Sequence, residues 1–423
     1  MRRYNRTMTH INLRQPILPV LIVFLLGLQL MEPSRAWMFL LVTFTGIFIS
    51  AYVWTRSLEK NLDLRRETKL GWVQVGGQVE ERVTLSNASI FPASWIEFVD
   101  ESTLPGFNAG RSTSIGAGYF DQWTINASCD QRGLFYLGGA KIHAGDPFGI
   151  FKVTIPVSNR ASILVLPRVA NLPPMSIAPS GSYGDGKPRR SAFEQTIHAS
   201  TVREYAHGDS PRLIHWKTTA RTNELFVRLM ESAPEGNWWI LLDLDKRFML
   251  GEGWDSIEEQ SVALAASLAD MGLRARKSVG LISNSEKMTW LASQKGKGQR
   301  WEIMHALALV KPSPLSLNIV FEKILLGRNH SLIVITASTK PDWLKTLLPM
   351  KKHNVMPTVM LMDISAFSNE TSPKITASVL EQHDIVCHVI PRGMIQRPEK
   401  SSQAKVNWAW RTTSTGEVVP FAA

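Results

Sequence analysis

The chain has 423 residues, 44% apolar and 20% charged, a globular composition that excludes disorder as the dominant state. A chain of this length calls for two or three domains rather than one core. The formal charge of +11 admits nucleic acid or anionic lipid as partners, but residues 1–69 alone hold ten Lys/Arg against four acids, and membrane topology accounts for that excess.

Residues 17–31 and 37–54 contain no charge, and Trp37 and Trp54 bracket the second run. A spanning helix needs about 20 apolar residues, with about 17 near the lower limit. The second run meets this and the first is short. Glu-Pro-Ser-Arg-Ala between them suffices only to reverse direction, so the two form a transmembrane helical hairpin. Arg56, Lys60, Arg65, Arg66 and Lys69 follow it, and such flanks stay in the cytoplasm. Two other readings exist. The runs can be buried core helices, or the first can be a signal peptide cleaved after Ser34-Arg35-Ala36. Cys129 and Cys387 lie far apart in apolar surroundings, which suits reduced thiols and offers no zinc or disulfide framework.

From 70 to 168 the pattern turns to short alternating runs: 78–87, 94–99, 120–126, 133–139, 151–157 and 161–167. Turn residues separate them at intervals near ten, which predicts an antiparallel β-sandwich. Within it Asp146-Pro147-Phe148-Gly149 is a turn: Asp-Pro initiates it, Gly149 can take positive φ, and Phe148 and Phe151 can anchor it.

Residues 169–235 begin as a linker rich in Pro, Ser and Gly. It leads into Arg203-x-Tyr205-x-x-Gly208-Asp209-x-x-Arg212-x-Ile214-x-Trp216, closed by Ala220 and Arg221. Asp209 can accept bidentate bonds from Arg212 or Arg221, and Trp216 offers a face to a guanidinium. Such a network suits either a domain junction or an exposed site for an anion or a carboxylate. His207 and His215 lack an accompanying nucleophile and a close third metal ligand.

From 236 to 423 apolar strands at 238–245, 278–283, 331–337, 358–364 and 384–390 alternate with helical stretches near 256–274, 300–309, 315–326, 341–348 and 373–383. Fully apolar strands joined by helices predict a parallel sheet covered on both faces.

The signature resembles the hallmark of the bacterial domain of unknown function 58 family, R-x-Y-x-x-G-D-x-x-R-x-I-x-W-x-x-x-A-R, with every fixed position present. Arg132-Gly133, the Asp-Pro-Phe-Gly turn and the paired apolar segments are similar to the family's upstream features. The resemblance implies a von Willebrand factor A-like domain at 236–423, a fold that usually holds Mg²⁺ with D-x-S-x-S and a later Asp. Here Asp243 remains, Asp245 and Arg247 stand at the two Ser positions, and Thr336-Ala337-Ser338 lacks the later carboxylate. The implied site is degraded, and no metal or other cofactor is expected.

The resemblance also implies association with MoxR-type AAA+ ATPases and transglutaminase-like membrane proteins. The favoured function is a non-enzymatic adaptor on the cytoplasmic face of the bacterial inner membrane. A hydrolase using the Arg/His/Asp signature and a basic nucleic-acid or lipid binder are the alternatives, although no GxxxxGK[ST], HExxH or GxSxG motif is present.

Overall fold

A computed structural model describes residues 9–68, 71–179, 199–206, 214–222, 224–230, 237–324, 326, 330–353, 355–365, 367, 373–396, 408–412 and 418–422. The chain divides into two compact units, Met1–Pro167 and Arg168–Arg397, the second also taking Asn407–Ala423.

The first unit opens with strand β1 (His10–Leu13), followed by helices α1 (Ile17–Met31) and α2 (Arg35–Asn61). Ser34 starts α2, its hydroxyl accepting the Ala36 N–H. By length and composition α2 can cross a membrane, whereas the 15-residue α1 is shorter than such a span. The apolar side chains of both are largely exposed, which sets them apart from core helices of a water-soluble domain.

Strands β2 (Leu62–Thr68), β3 (Trp72–Gln74), β4 (Gln78–Asn87), β5 (Ala93–Asp100), β6 (Arg111–Ile115), β7 (Phe120–Ser128), β8 (Gly133–Gly145) and β9 (Phe151–Leu166) follow. They form two sheets, β2-β4-β7 and β1-β9-β8-β5-β6, the latter with β3 parallel to β9. Alternation dictates the facing. On β4, Val79, Glu81, Val83, Leu85 and Asn87 point inward between solvated neighbours.

Two expectations change here. The runs at 151–157 and 161–167 are one continuous strand, because the polar residues between them only bulge the ladder, and pairing with β8 resumes at Arg160 opposite Gly138. The sandwich also starts at Leu62, directly after α2, and includes β1 from before the helices. Of the five flanking cations, Arg66 lies inside the sandwich and Lys69 lies outside the described residues. Arg66 donates to both Glu81 carboxylate oxygens at 2.9 and 2.6 Å and to Asp100 at 2.7 Å. Burial opposes its charge, but the bonds to Glu81 and Asp100 outweigh that and raise its pKa.

The second unit begins with β10 (Ala199–Glu204), α3 (Trp216–Thr222) and β11 (Phe226–Met230), in which β10 and β11 pair antiparallel. Then come β12 (Asn237–Leu242), α4 (Ile257–Arg274), β13 (Val279–Ser283), β14 (Thr289–Gln294), α5 (Lys297–Leu309), α6 (Leu317–Lys323) and β15 (His330–Thr336). The remaining elements are α7 (Leu344–Lys352), β16 (Val355–Met362), α8 (Pro373–Gln382), β17 (Val386–Ile390) and the antiparallel pair β18 (Trp408–Thr412) and β19 (Val418–Ala422).

The large sheet has the order β14-β13-β12-β15-β16-β17. It is mixed rather than purely parallel, since β14 runs antiparallel to β13 at one edge. An antiparallel edge on an otherwise parallel sheet is a common variant of such folds. The central strands are buried along their length. Helix α4 is N-capped by Ser256, with Glu258 and Glu259 in its first turn and Arg274 in its last, as the helix dipole favours. Gly272 lets it press on the sheet, because a Cβ there would lie 2.7 Å from the Trp238 ring.

Candidate functional site

Of the signature, Gly208, Asp209 and Arg212 lie outside the described residues, as does His207. The rest builds a small surface module. The β10–β11 ladder sets Arg203 opposite Val227. The Tyr205 N–H donates to Leu225 O at 2.7 Å, and Ile214 bridges Val227. His215 starts α3: its Nδ1 accepts from the Thr218 N–H at 3.3 Å and lies 2.7 Å from the Thr218 hydroxyl. The Phe226 N–H in turn donates to Thr219 Oγ1 at 3.1 Å, locking α3 onto β11. On this helix Ala220 and Arg221 face solvent, and Trp216 is 66% exposed. An indole left in water at the start of a helix contributes little to folding, so its place in the signature asks for a contact outside the helix.

The second cluster lies at the carboxyl ends of β12 and β15, where the sheet order reverses and ligands of open α/β sheets gather. Asp243 is buried there. One carboxylate oxygen accepts from Asn284 Nδ2 at 2.7 Å and from the Asp245 N–H at 3.2 Å, and the other from the Thr336 hydroxyl at 2.7 Å. Burial pushes Asp243 up to about 6, against the pull of the bonds from Thr336 and Asn284. Asp245 is held by the Arg247 guanidinium at 3.0–3.1 Å through Nε and 2.5 Å through Nη2.

This donor set does not fit a hard divalent cation. Three donors already face Asp243, a guanidinium occupies Asp245, and Ala337, where the resemblance implies a later carboxylate, has no side-chain oxygen. Asn284 completes the cluster: its side-chain oxygen accepts the Leu244 N–H, and its backbone carbonyl accepts the Ser313 hydroxyl. Sequence reasoning passed over it, although its position immediately after β13 on the same sheet edge was the available signal.

The Asp146 turn is a third constellation, inside the first unit. Its buried carboxylate accepts the N–H groups of Phe148 at 2.9 Å, Ile150 at 3.2 Å and Phe151 at 2.6 Å. Pro147 leaves φ restricted at the corner, and Gly149 takes φ +71°. Both thiols are free. Burial, reinforced by Asp130, pushes Cys129 up to about 12, and burial with Glu381 pushes Cys387 to about 11, so neither is a thiolate at neutral pH.

Comparison with known proteins agrees with the signature. Residues 201–368 match the family model described as "Protein of unknown function DUF58". The uncharacterized protein Rv1480 of Mycobacterium tuberculosis is 26% identical over 113 residues, which cover 26% of this chain and 36% of the relative. Uncharacterized protein Mb1516 of Mycobacterium bovis matches to the same extent. The matched stretch thus spans about a third of the length of these relatives.

Among solved structures, the CARDB domain of PF1109 from Pyrococcus furiosus is 17% identical over 25% of this chain and 97% of that domain, with a TM-score of 0.19. The sporulation control protein Spo0M from Bacillus subtilis is 12% identical over 25% of this chain and 49% of that protein, with a TM-score of 0.17. Likenesses this slight carry no argument. What the chain shares with the DUF58 family model is therefore residues 201–368, about two fifths of its length, which hold the signature and most of the α/β unit.

Proposed function

We propose that the chain is a non-enzymatic adaptor anchored in the bacterial inner membrane, with its sandwich and α/β unit in the cytoplasm, where the signature face takes up a protein partner. Helices α1 and α2 serve as the anchoring hairpin, supported by the apolar length of α2 and the exposed cations Arg56 and Arg65 beyond it. The α/β unit is read as a von Willebrand factor A-like domain that works without a cation. The antiparallel β14 edge, the reversal of strand order beside β12 and the Asp243 cluster at that edge support this.

The observation that carries the reading is the exposed Trp216 on α3, with Arg221 on the same helix. Trp and Arg are the residue types most enriched where binding energy concentrates in interfaces. Following the family resemblance, the candidate partners are a MoxR-type AAA+ ATPase and a transglutaminase-like membrane protein.

The test is capture of partners by the full chain from detergent-solubilised membranes. The expected result is recovery of a MoxR-type ATPase by the unaltered chain and a loss of roughly 2 kcal/mol, about thirtyfold in affinity, with Trp216→Ala. Repeated failure to recover an ATPase with intact bait would refute the partner. Undiminished recovery with Trp216→Ala would refute the face.

A further inference from the structure

The sandwich ends toward the helices in an apolar rim. Strand directions put the β4–β5 turn (88–92), the β6–β7 turn (116–119) and the β8–β9 turn (146–150) at the same end of the sandwich as Leu62, where α2 hands over to β2. That end carries Ile90 at 82% exposure, Tyr119 at 72%, Phe120 at 67% and Phe148 at 54%. In a water-soluble β-domain, four large apolar side chains at one end are an unsolvated patch.

These side chains sit on stiff supports. The Asn87 side-chain amide donates to Phe91 O at 3.0 Å, Ile115 O at 3.3 Å and Gly116 O at 3.2 Å, which ties the first two turns together. The Asp146 carboxylate holds the third.

The rim also lies deep along α2. Trp54 stacks on Phe91 with ring centroids 4.6 Å apart, and its indole N–H donates to Pro92 O at 2.9 Å. Phe151 meets Phe48 at 5.1 Å and Tyr52 at 5.6 Å, in a cluster with Ile47, Ala51, Ile150 and Leu18 at the start of α1. At about 1.5 Å per residue, Phe48 lies roughly 9 Å closer to the membrane centre than Trp54. Helix α1 is therefore about 22 Å long and begins at the level of Phe48, while an apolar layer of about 30 Å must reach Trp54 to bury α2. Over that last stretch the flank of α2 is covered by sandwich turns.

We propose that this rim is a lipid-binding surface: Ile90, Tyr119, Phe120 and Phe148 enter the interfacial layer of the bilayer and complete the apolar zone that the short α1 leaves open. The occupant is lipid because the rim is continuous with the lipid-facing flank of α2, where Ile49, Tyr52 and Val53 are exposed at the same depth. Aromatic side chains favour this layer, and Arg14, whose backbone N–H donates to Ile150 O in the third turn, stands beside it where anionic headgroups would lie. The inference rests on the reading that α2 spans a membrane.

The test is spin-label accessibility in the full chain, reconstituted into phosphatidylcholine–phosphatidylglycerol vesicles on a Cys387→Ser background. Labels go at Phe148→Cys, Ile90→Cys and Tyr119→Cys, with Gln131→Cys at the far end of the sandwich as the aqueous reference and Ile49→Cys as the spanning reference. The proposal expects the rim labels to collide with oxygen several-fold more, relative to a water-soluble nickel complex, than Gln131→Cys does. Rim labels as nickel-accessible as Gln131→Cys, with Ile49→Cys in lipid, would overturn the rim and leave the span intact. Exclusion of both probes would mean a protein cover and would also overturn it. An aqueous Ile49→Cys would sink the span and the rim together.

Discussion

Asp243 shows what has become of an acidic position that, in the von Willebrand factor A-like reading, would otherwise hold a metal. Because it is buried, its carboxyl holds its proton up to about 6, above the ordinary 3.8, although the donors on both oxygens pull the other way. Between those values the folded chain binds more protons than the unfolded one. The stabilisation is complete below the ordinary value and is lost as pH rises through about 6. The loss is on the order of 3 kcal/mol. Asp243→Asn keeps the shape without a titrating group, so it should flatten this slope. Hydrogen exchange at β12, corrected for its intrinsic pH dependence, measures it, and an equal slope in the variant would show that other groups carry it. The variant retains Asn284 as a donor to the new side-chain oxygen, which keeps the comparison close to isosteric.

At the level of elements, β2 shows how far a charge count can mislead. Arg66 reads in sequence as one of a run of flanking cations, yet alternation turns it inward, where two carboxylates hold it. Arg66→Met should cost about 3–5 kcal/mol, since Glu81 and Asp100 would be left buried and unpaired. Urea melts of the reconstituted chain, followed by proteolysis of the sandwich, would register this, and a variant as resistant as the original would contradict it.

The legible elements were those with long, clean periodicity. Strands β4, β5 and β7, helix α4 and the apolar strands of the second unit stand close to their expected bounds. Strand β14 was not legible, because a six-residue edge strand with half its side chains in water resembles a loop. Nor were β1, whose partner lies about 140 residues further along the chain, and β2, which follows α2 without an intervening turn. The signature residues were legible as a motif, whereas Asn284 and Glu81 were not, since a buried polar network becomes visible only once distant strands are adjacent.

For the whole molecule, the first 36 residues decide between anchor and leader. Cleavage after Ala36 would remove α1 and also β1, which pairs residue for residue with Thr154–Phe151. Edge backbone on β9 and the apolar contacts of Ile11 and Leu18 would be left open. The mass of the chain extracted from membranes should therefore include residues 1–36, and a carboxyl-terminal reporter should be active in the cytoplasm. A truncated mass, or a reporter active only in the periplasm, would reverse the topology.

Strand β1 also sets an order of events during synthesis. Its partner on β9 leaves the ribosome about 140 residues later, which at about 5–20 residues per second is roughly 7–30 s. Throughout that interval the leading segment has no ladder to join, although both apolar helices have already emerged. On the proposed reading that α1 and α2 enter the membrane, insertion can run ahead of closure of the sandwich, and the late arrival of β9 is the step that latches the nascent chain's front end in place.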